Sequence, residues 1–235
     1  MHKSGTASLA GKGKEFSGNL FEIRLECGII FVKYATKTER THSVRRKEGK
    51  TDMKYASNNI RNILIAGHAG SGKTTLTEAL VYFSGAAERM GRVEDGTTIS
   101  DFDPEEAKRK ASLSASVVPV EYEGIKYNLI DAPGLFDFEA GEYEGIRAAE
   151  SVLVVVSGRS GVTVGAEKAF QLARKNGKAT MVFVSKCDLE NANYFKILED
   201  MKIKFGSTVC PCVVPAKLDD GTPVYINLFS QKAFK

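Results

Sequence analysis

Gly67-His68-Ala69-Gly70-Ser71-Gly72-Lys73-Thr74, residues 67–74, fills every fixed position of the pattern G-x-x-x-x-G-K-[ST]. The apolar run at 62–66 before it reads as a buried strand, and Leu76, Leu80 and Phe83 after it recur at helical spacing. A glycine-rich turn between a strand and a helix lets backbone N–H groups from Gly67 to Gly72 close around phosphate. The helix N-terminus adds partial positive charge. Lys73 is placed to reach the outer phosphates, the Thr74 hydroxyl to ligate Mg²⁺, and Thr75 to line the first turn. His68 occupies a variable position, where packing is favoured over a metal or catalytic role.

Two further motifs lie at the ends of later strand-like runs. Asp131-Ala132-Pro133-Gly134 begins 58 residues after Lys73 and follows the run 125–130. A carboxylate there can hold an Mg²⁺-bound water, and the Gly134 N–H can contact a γ-phosphate. Ser185-Lys186-Cys187-Asp188 follows the run 180–185. A carboxylate at Asp188 can accept from N1–H and the 2-amino group of guanine, whereas adenine offers no such pair of donors. The Lys186 stem can pack along the purine plane. Asp188 is therefore read as a guanine selector, and Mg²⁺ with GTP or GDP as the expected ligands.

Strand-like runs at 62–66, Ser116–Tyr122, 125–130, Ser151–Ser157 and 180–185 alternate with helical patterns. The helical patterns are Leu76/Leu80/Phe83, Ala166/Ala169/Phe170/Ala173 and Leu198/Met201/Phe205. Continuous apolar strands separated by helices imply an α/β fold: a P-loop domain with a mostly parallel sheet and helices on both faces.

The charge is unevenly divided. Residues 1–52 hold 11 Lys/Arg against 6 Asp/Glu, and the remainder 22 against 23, so the formal +4 belongs to the N-terminal segment. No direct DNA binding is expected of a domain so balanced. Residues 1–52 read as a basic leader and 53–235 as the nucleotide-binding domain; a strand is conceivable within 20–34. The string Arg45-Arg46-Lys47-Glu48-Gly49-Lys50 can be encoded by an almost pure purine run just upstream of Met53. Met53 is accordingly the expected natural start. The four cysteines are scattered and read as free thiols in a reducing cytoplasm. No apolar run approaches the ~18 residues that span a bilayer.

The order of the three motifs resembles a GTPase domain, and the wording between them resembles elongation factor G and its bacterial paralogues. The likeness rests on Gly91-Arg92-Val93-Glu94-Asp95-Gly96-Thr97-Thr98, Asp103-Pro104-Glu105-Glu106 and Arg109-Lys110-Ala111-Ser112-Leu113. It continues in Gly161-Val162, Gly165-Ala166-Glu167-Lys168-Ala169 and Glu190-Asn191-Ala192-Asn193-Tyr194. The resemblance implies a GTP-binding translational GTPase with the ribosome as partner. It aligns Ser112 with the switch hydroxyl that ligates Mg²⁺, with Thr98 as the alternative. Ser185 stands where the family has asparagine, which would support the phosphate loop less well. Leu135 stands where translational GTPases carry a catalytic histidine; leucine cannot polarise water. Hydrolysis would rest on Lys73, Mg²⁺ and backbone donors such as Gly134, and would be slow.

The resemblance further implies that 53–235 is C-terminally truncated, ending at the start of an inserted subdomain near Val224-Tyr225-Ile226-Asn227-Leu228-Phe229. Residues 209–214 are expected to form one strand; the alternative makes Pro215-Ala216-Lys217 a guanine-contacting loop. Three other functions stay open on the residues alone: a GTP/GDP switch with little hydrolysis, an ATP-dependent P-loop protein, and a fragment that binds no nucleotide.

Overall fold

The computed structural model describes residues 29–32, 55–189, 192–218 and 221–234. The expected start at Met53, the basic string 45–50, most of the leader, and Glu190 and Asn191 lie outside the described residues.

Strand β1 (Ile29–Val32) precedes β2 (Ile60–Gly67), α1 (Lys73–Phe83), α2 (Pro104–Arg109), β3 (Ser116–Tyr122) and β4 (Ile125–Asp131). Then come α3 (Ala140–Ala148), β5 (Ser151–Ser157), α4 (Val164–Lys175), β6 (Ala179–Ser185) and α5 (Tyr194–Phe205). Short strands β7 (Val209–Pro211), β8 (Val213–Lys217), β9 (Pro223–Asn227) and β10 (Lys232–Phe234) complete the order. A seven-stranded sheet runs β3-β4-β2-β5-β6-β1-β7, and β8, β9 and β10 form a separate three-stranded sheet.

The apolar runs are continuous because both faces of the large sheet are covered. Leu64, Val152, Val154, Val156, Val182 and Val184 point to one face and pack with Ile146, Ala166, Phe170 and Met201 of α3, α4 and α5. Their neighbours Ile65, Val155 and Phe183 point to the other face and pack with Leu76, Leu80 and Val81 of α1. Two-residue alternation thus divides one run between two cores. The pairs β2–β4, β2–β5 and β5–β6 are parallel, whereas β3 runs antiparallel to β4. The α/β P-loop architecture with helices on both faces follows.

The strand considered within 20–34 is present at Ile29–Val32, antiparallel to both β6 and β7. Two helices carry no sequence expectation. Helix α2 starts at a capping box: the Asp103 side chain accepts from the Glu105 N–H, Glu106 answers the Asp103 N–H, and Pro104 sits in the first turn. Helix α3 buries Gly141, Gly145 and Ile146. Gly145 lies so close to β2 that a Cβ there would stand 2.6 Å from Leu64 Cδ1. A contact face made of glycine leaves no hydrophobic period to read.

Two expectations need correction. Residues 209–214 are not one strand: β7 and β8 belong to different sheets and break at buried Cys212, whose carbonyl accepts the Leu228 N–H at 2.8 Å. Pro211 has no N–H to continue the first ladder. Phe83, grouped with Leu76 and Leu80 as one face, is 55% exposed at the end of α1, while Val81 takes the buried position. Pro215, Ala216 and Lys217 lie within β8, opposite Tyr225, Val224 and Pro223.

Candidate functional site

Parallel pairing brings the C-terminal ends of β2, β4, β5 and β6 to one edge of the sheet, where Gly67, Asp131, Ser157 and Ser185 end their strands. Such an edge, where helices leave to opposite faces, is where open α/β sheets bind ligands. The phosphate loop caps it. Helix α1 begins at Gly72 in a left-handed conformation, with no side-chain cap and no acidic residue in its first turn. Its positive end therefore faces the loop uncompensated.

A groove of about 320 Å³ opens there, lined by Gly70, Lys73, Thr74, Thr75, Ser112 and Lys186 among others. Lys73 is buried and its Nζ donates to the His68 carbonyl at 3.0 Å. Burial holds its ammonium below the ordinary lysine value, opposed by the charges of Asp131, Glu142 and Asp101. Thr74 Oγ1 donates to Asp131 Oδ2 at 2.8 Å and stands 3.3 Å from Ser112 Oγ. Ser112 Oγ in turn donates to Asp101 Oδ1 at 2.6 Å. The competing hydroxyl, Thr98 Oγ1, turns to Asp101 Oδ2 at 3.4 Å. Geometry thus brings Ser112, and not Thr98, to Thr74.

These donors fit Mg²⁺. Asp131 Oδ1 is fully buried with no hydrogen-bond partner among the described residues, and two hydroxyls lie beside the carboxylate. Magnesium takes one or two carboxylates and fills its shell with water and substrate phosphate. Thr74 and Ser112 would hold it directly and Asp131 through water, so that it neutralises phosphate charge.

Gly134, expected from the sequence to contact a γ-phosphate, is tied to the glycine-rich loop. Ala69 N–H donates to the Gly134 carbonyl at 3.0 Å, so that loop amide is engaged with the turn after β4. A Cβ on Gly134 would lie 2.6 Å from the Ala69 nitrogen and 2.8 Å from the His68 carbonyl carbon, so only glycine fits. Leu135 follows at the rim, 40% exposed, and offers no polar atom. His68 packs against Phe136, with ring centroids 5.8 Å apart, and a Cβ at Gly165 would meet its Nδ1 at 2.8 Å.

The expectation of weaker support from Ser185 meets a direct contact. Its Oγ is buried and donates to the Ser71 carbonyl at 2.6 Å, crossing from β6 to the phosphate loop. Lys186, at a positive φ of 56°, donates from Nζ to the Gly70 carbonyl at 2.8 Å. Asp188 is exposed in the turn beyond it, outside the groove lining.

Sequence reasoning gave no role to Asp101, Glu142, Glu78 or Glu106: the first three lie in no motif, and Glu106 enters only as part of the resemblance at 103–106. Burial raises the Asp131 carboxyl to about 6, against the pull of the Thr74 hydrogen bond and Lys73. Burial likewise raises Glu142 to about 7, with Lys73 opposing. Both folded values lie above the ordinary ones of 3.8 and 4.5. Across that window the folded protein keeps protons that the unfolded chain has released. The contribution of these two groups to stability therefore falls as pH rises from about 4 to about 7. The Tm of ligand-free Glu142→Gln minus that of the unsubstituted protein should increase steadily across this window in closely spaced thermal melts. A pH-independent difference would refute the assignment.

Residues 58–231 match the family model described as the elongation factor Tu GTP binding domain. An elongation factor G-like protein of Mycobacterium tuberculosis is 36% identical over 176 residues, 75% of this chain and 24% of that protein. Elongation factor G of Chlamydia caviae is 32% identical over 183 residues, 78% of this chain and 26% of its own. The mitochondrial ribosome-releasing factor 2 of Drosophila ananassae is 31% identical over 183 residues, 78% of this chain and 25% of its own. A crystal structure of a Thermus thermophilus protein superposes with a TM-score of 0.68 at 40% identity, covering 75% of this chain and 26% of that one. The chain spans about a quarter of the length of these relatives. Among the described residues no helix is long and apolar enough to cross a membrane.

Proposed function

We propose that this chain, which belongs to the elongation factor Tu GTP-binding domain family, binds GTP and GDP with Mg²⁺ and hydrolyses GTP slowly. The work would be a ribosomal step of the elongation factor G type. The observation that carries the reading is the cluster Thr74, Asp131 and Ser112 beside buried Lys73, at the mouth of an uncapped helix. It supplies a cation site and a phosphate site side by side, which is the arrangement phosphoryl transfer needs.

The roles follow from position. The N–H groups of the loop and of Thr74 and Thr75 would hold the phosphates, and Lys73 would draw charge from the outer ones. Asp188 would select guanine over adenine, with Lys186 beside the base. The N–H of Gly134 would contact the γ-phosphate. Leu135 beside it cannot orient the attacking water, so the rate rests on electrostatic stabilisation alone. The ribosome as partner is supported by the relatives' names, elongation factor G and ribosome-releasing factor 2.

The test is a titration of the full chain with fluorescent GDP and Mg²⁺, competed by GTP, GDP and ATP, followed by single-turnover GTP hydrolysis. GTP and GDP should compete and ATP should not, with slow release of phosphate. Competition by ATP as strong as by GTP, or no binding, would overturn the proposal.

A further inference from the structure

Residues 91–114 form the outer wall of the groove, contributing Val93, Glu94, Asp101 and Ser112. Helix α2 is their one regular element, so ladder hydrogen bonds hold little of them. Two buried glutamates do the holding instead. Glu78, on α1 and 1% exposed, accepts the Gly91 N–H at Oε2 (3.1 Å) and the Ile99 N–H at Oε1 (2.5 Å). The loop so closed is cross-tied by Arg92 N–H to Thr97 Oγ1 at 3.0 Å. Gly91 has no room for a side chain, since a Cβ would stand 2.5 Å from Glu78 Oε2.

Glu106 repeats the device further along. It is 2% exposed, and its Oε1 accepts the N–H groups of Leu113 (2.8 Å) and Ser114 (3.1 Å). Its Oε2 accepts the Asp103 N–H at 3.3 Å. Each carboxylate therefore joins backbone positions that are distant along the wall. Between the two clamps Asp101 takes the Ser112 hydroxyl, and Ser112 stands against Thr74.

We infer that Glu78 and Glu106 are positioning residues: by clamping residues 91–114 from α1 and α2 they set Asp101 and Ser112 against Thr74, and thereby the site's affinity for Mg²⁺. The inference rests on the nucleotide-binding reading above. Neither glutamate needs to touch nucleotide. Their contribution is to remove the conformational freedom that the wall would otherwise lose on binding.

Glu78→Gln tests it at constant size. The amide keeps one acceptor and presents an NH₂ group to the other N–H, donor against donor, so one end of the clamp opens. Two measurements on the full chain are needed. In hydrogen exchange without nucleotide, the amides of 91–99 should exchange at least about tenfold faster while β2 and β5 keep their protection. In fluorescent-GDP binding, the Mg²⁺ concentration for half-maximal affinity should rise at least about fivefold. The doubly substituted Glu78→Gln/Ser112→Ala protein should be no worse than Ser112→Ala alone.

Unchanged exchange at 91–99, an unchanged Mg²⁺ requirement, or additive effects in the double variant would overturn the inference. Lost protection in β2 and β5 would also overturn it, because the role would then be one of folding. If the unsubstituted chain binds no GDP, the nucleotide reading fails on its own, and the exchange measurement decides whether the clamp exists.

Discussion

Lys73→Met should weaken GDP and GTP binding by at least about 100-fold, or about 2.8 kcal/mol, while leaving the ligand-free Tm unchanged or higher. The two halves have one cause. Lys73 is buried, and desolvation holds its pKa below the ordinary value despite three nearby carboxyl groups. A lysine whose folded pKa is lowered costs stability at neutral pH, where the unfolded chain keeps its proton at no penalty. Methionine matches the stem and removes the charge. The phosphates then lose a charge-assisted donor, which in a desolvated site is among the stronger hydrogen bonds. Isothermal titration with GDP and Mg²⁺, beside thermal melts of the ligand-free protein, reads both numbers. A fall in Tm of many degrees that parallels the affinity loss would mean that Lys73 holds the loop together.

Gly67→Ala is expected to destabilise the domain by on the order of 4 kcal/mol, lowering Tm by roughly 10 °C for a chain of this size. Gly67 has φ of 139°, a backbone region that side chains avoid, and a Cβ there would stand 2.5 Å from the Val155 carbonyl oxygen. That oxygen is backbone, in a strand paired with β2 at this very position, so neither partner can move without opening the central ladder. Gly177→Ala provides the comparison. Its φ of 63° is positive too, but falls in the left-handed helical region that other residues enter at modest cost, and nothing lies within 4 Å. It should cost only about 1 kcal/mol. Equal losses in the two variants would show that the collision with β5 and the wider φ of Gly67 add nothing to the ordinary cost of a side chain at positive φ.

Much of this architecture is legible in the amino-acid sequence. The runs of β2, β5 and β6 are readable because strands buried on both faces are apolar at nearly every position, that of β3 because buried and exposed residues alternate along it, and helices α1, α4 and α5 because each buries apolar residues at helical spacing. Helix α3 was hidden by the reverse circumstance. Its contact face is two glycines, Gly141 and Gly145, with a single isoleucine, so close packing leaves no hydrophobic period along the chain. Helix α2 carries its start signal in Asp103-Pro104-Glu105-Glu106, but with no apolar run behind it the stretch gives no helical expectation. The break at Cys212 goes with Leu228, in the turn just after β9, donating to its carbonyl, a contact that no local pattern encodes.

The site divides in the same manner. Gly67 to Thr75, Asp131, Gly134 and the turn with Ser185, Lys186 and Asp188 were named from the sequence, since each lies where a strand ends and its chemistry depends on residue type. By itself the sequence therefore determined the parallel α/β order, the glycine-rich loop between β2 and α1, and the apolar Leu135 beside Gly134. Only the tertiary structure decided that Ser112 rather than Thr98 meets Thr74, that Ser185 anchors the phosphate loop, and that Asp101, Glu78 and Glu106 hold the groove's outer wall. Motifs report groups whose spacing along the chain fixes their chemistry. A buried carboxylate clamping distant backbone N–H groups is defined by where the chain returns to it, and that is a property of the folded molecule.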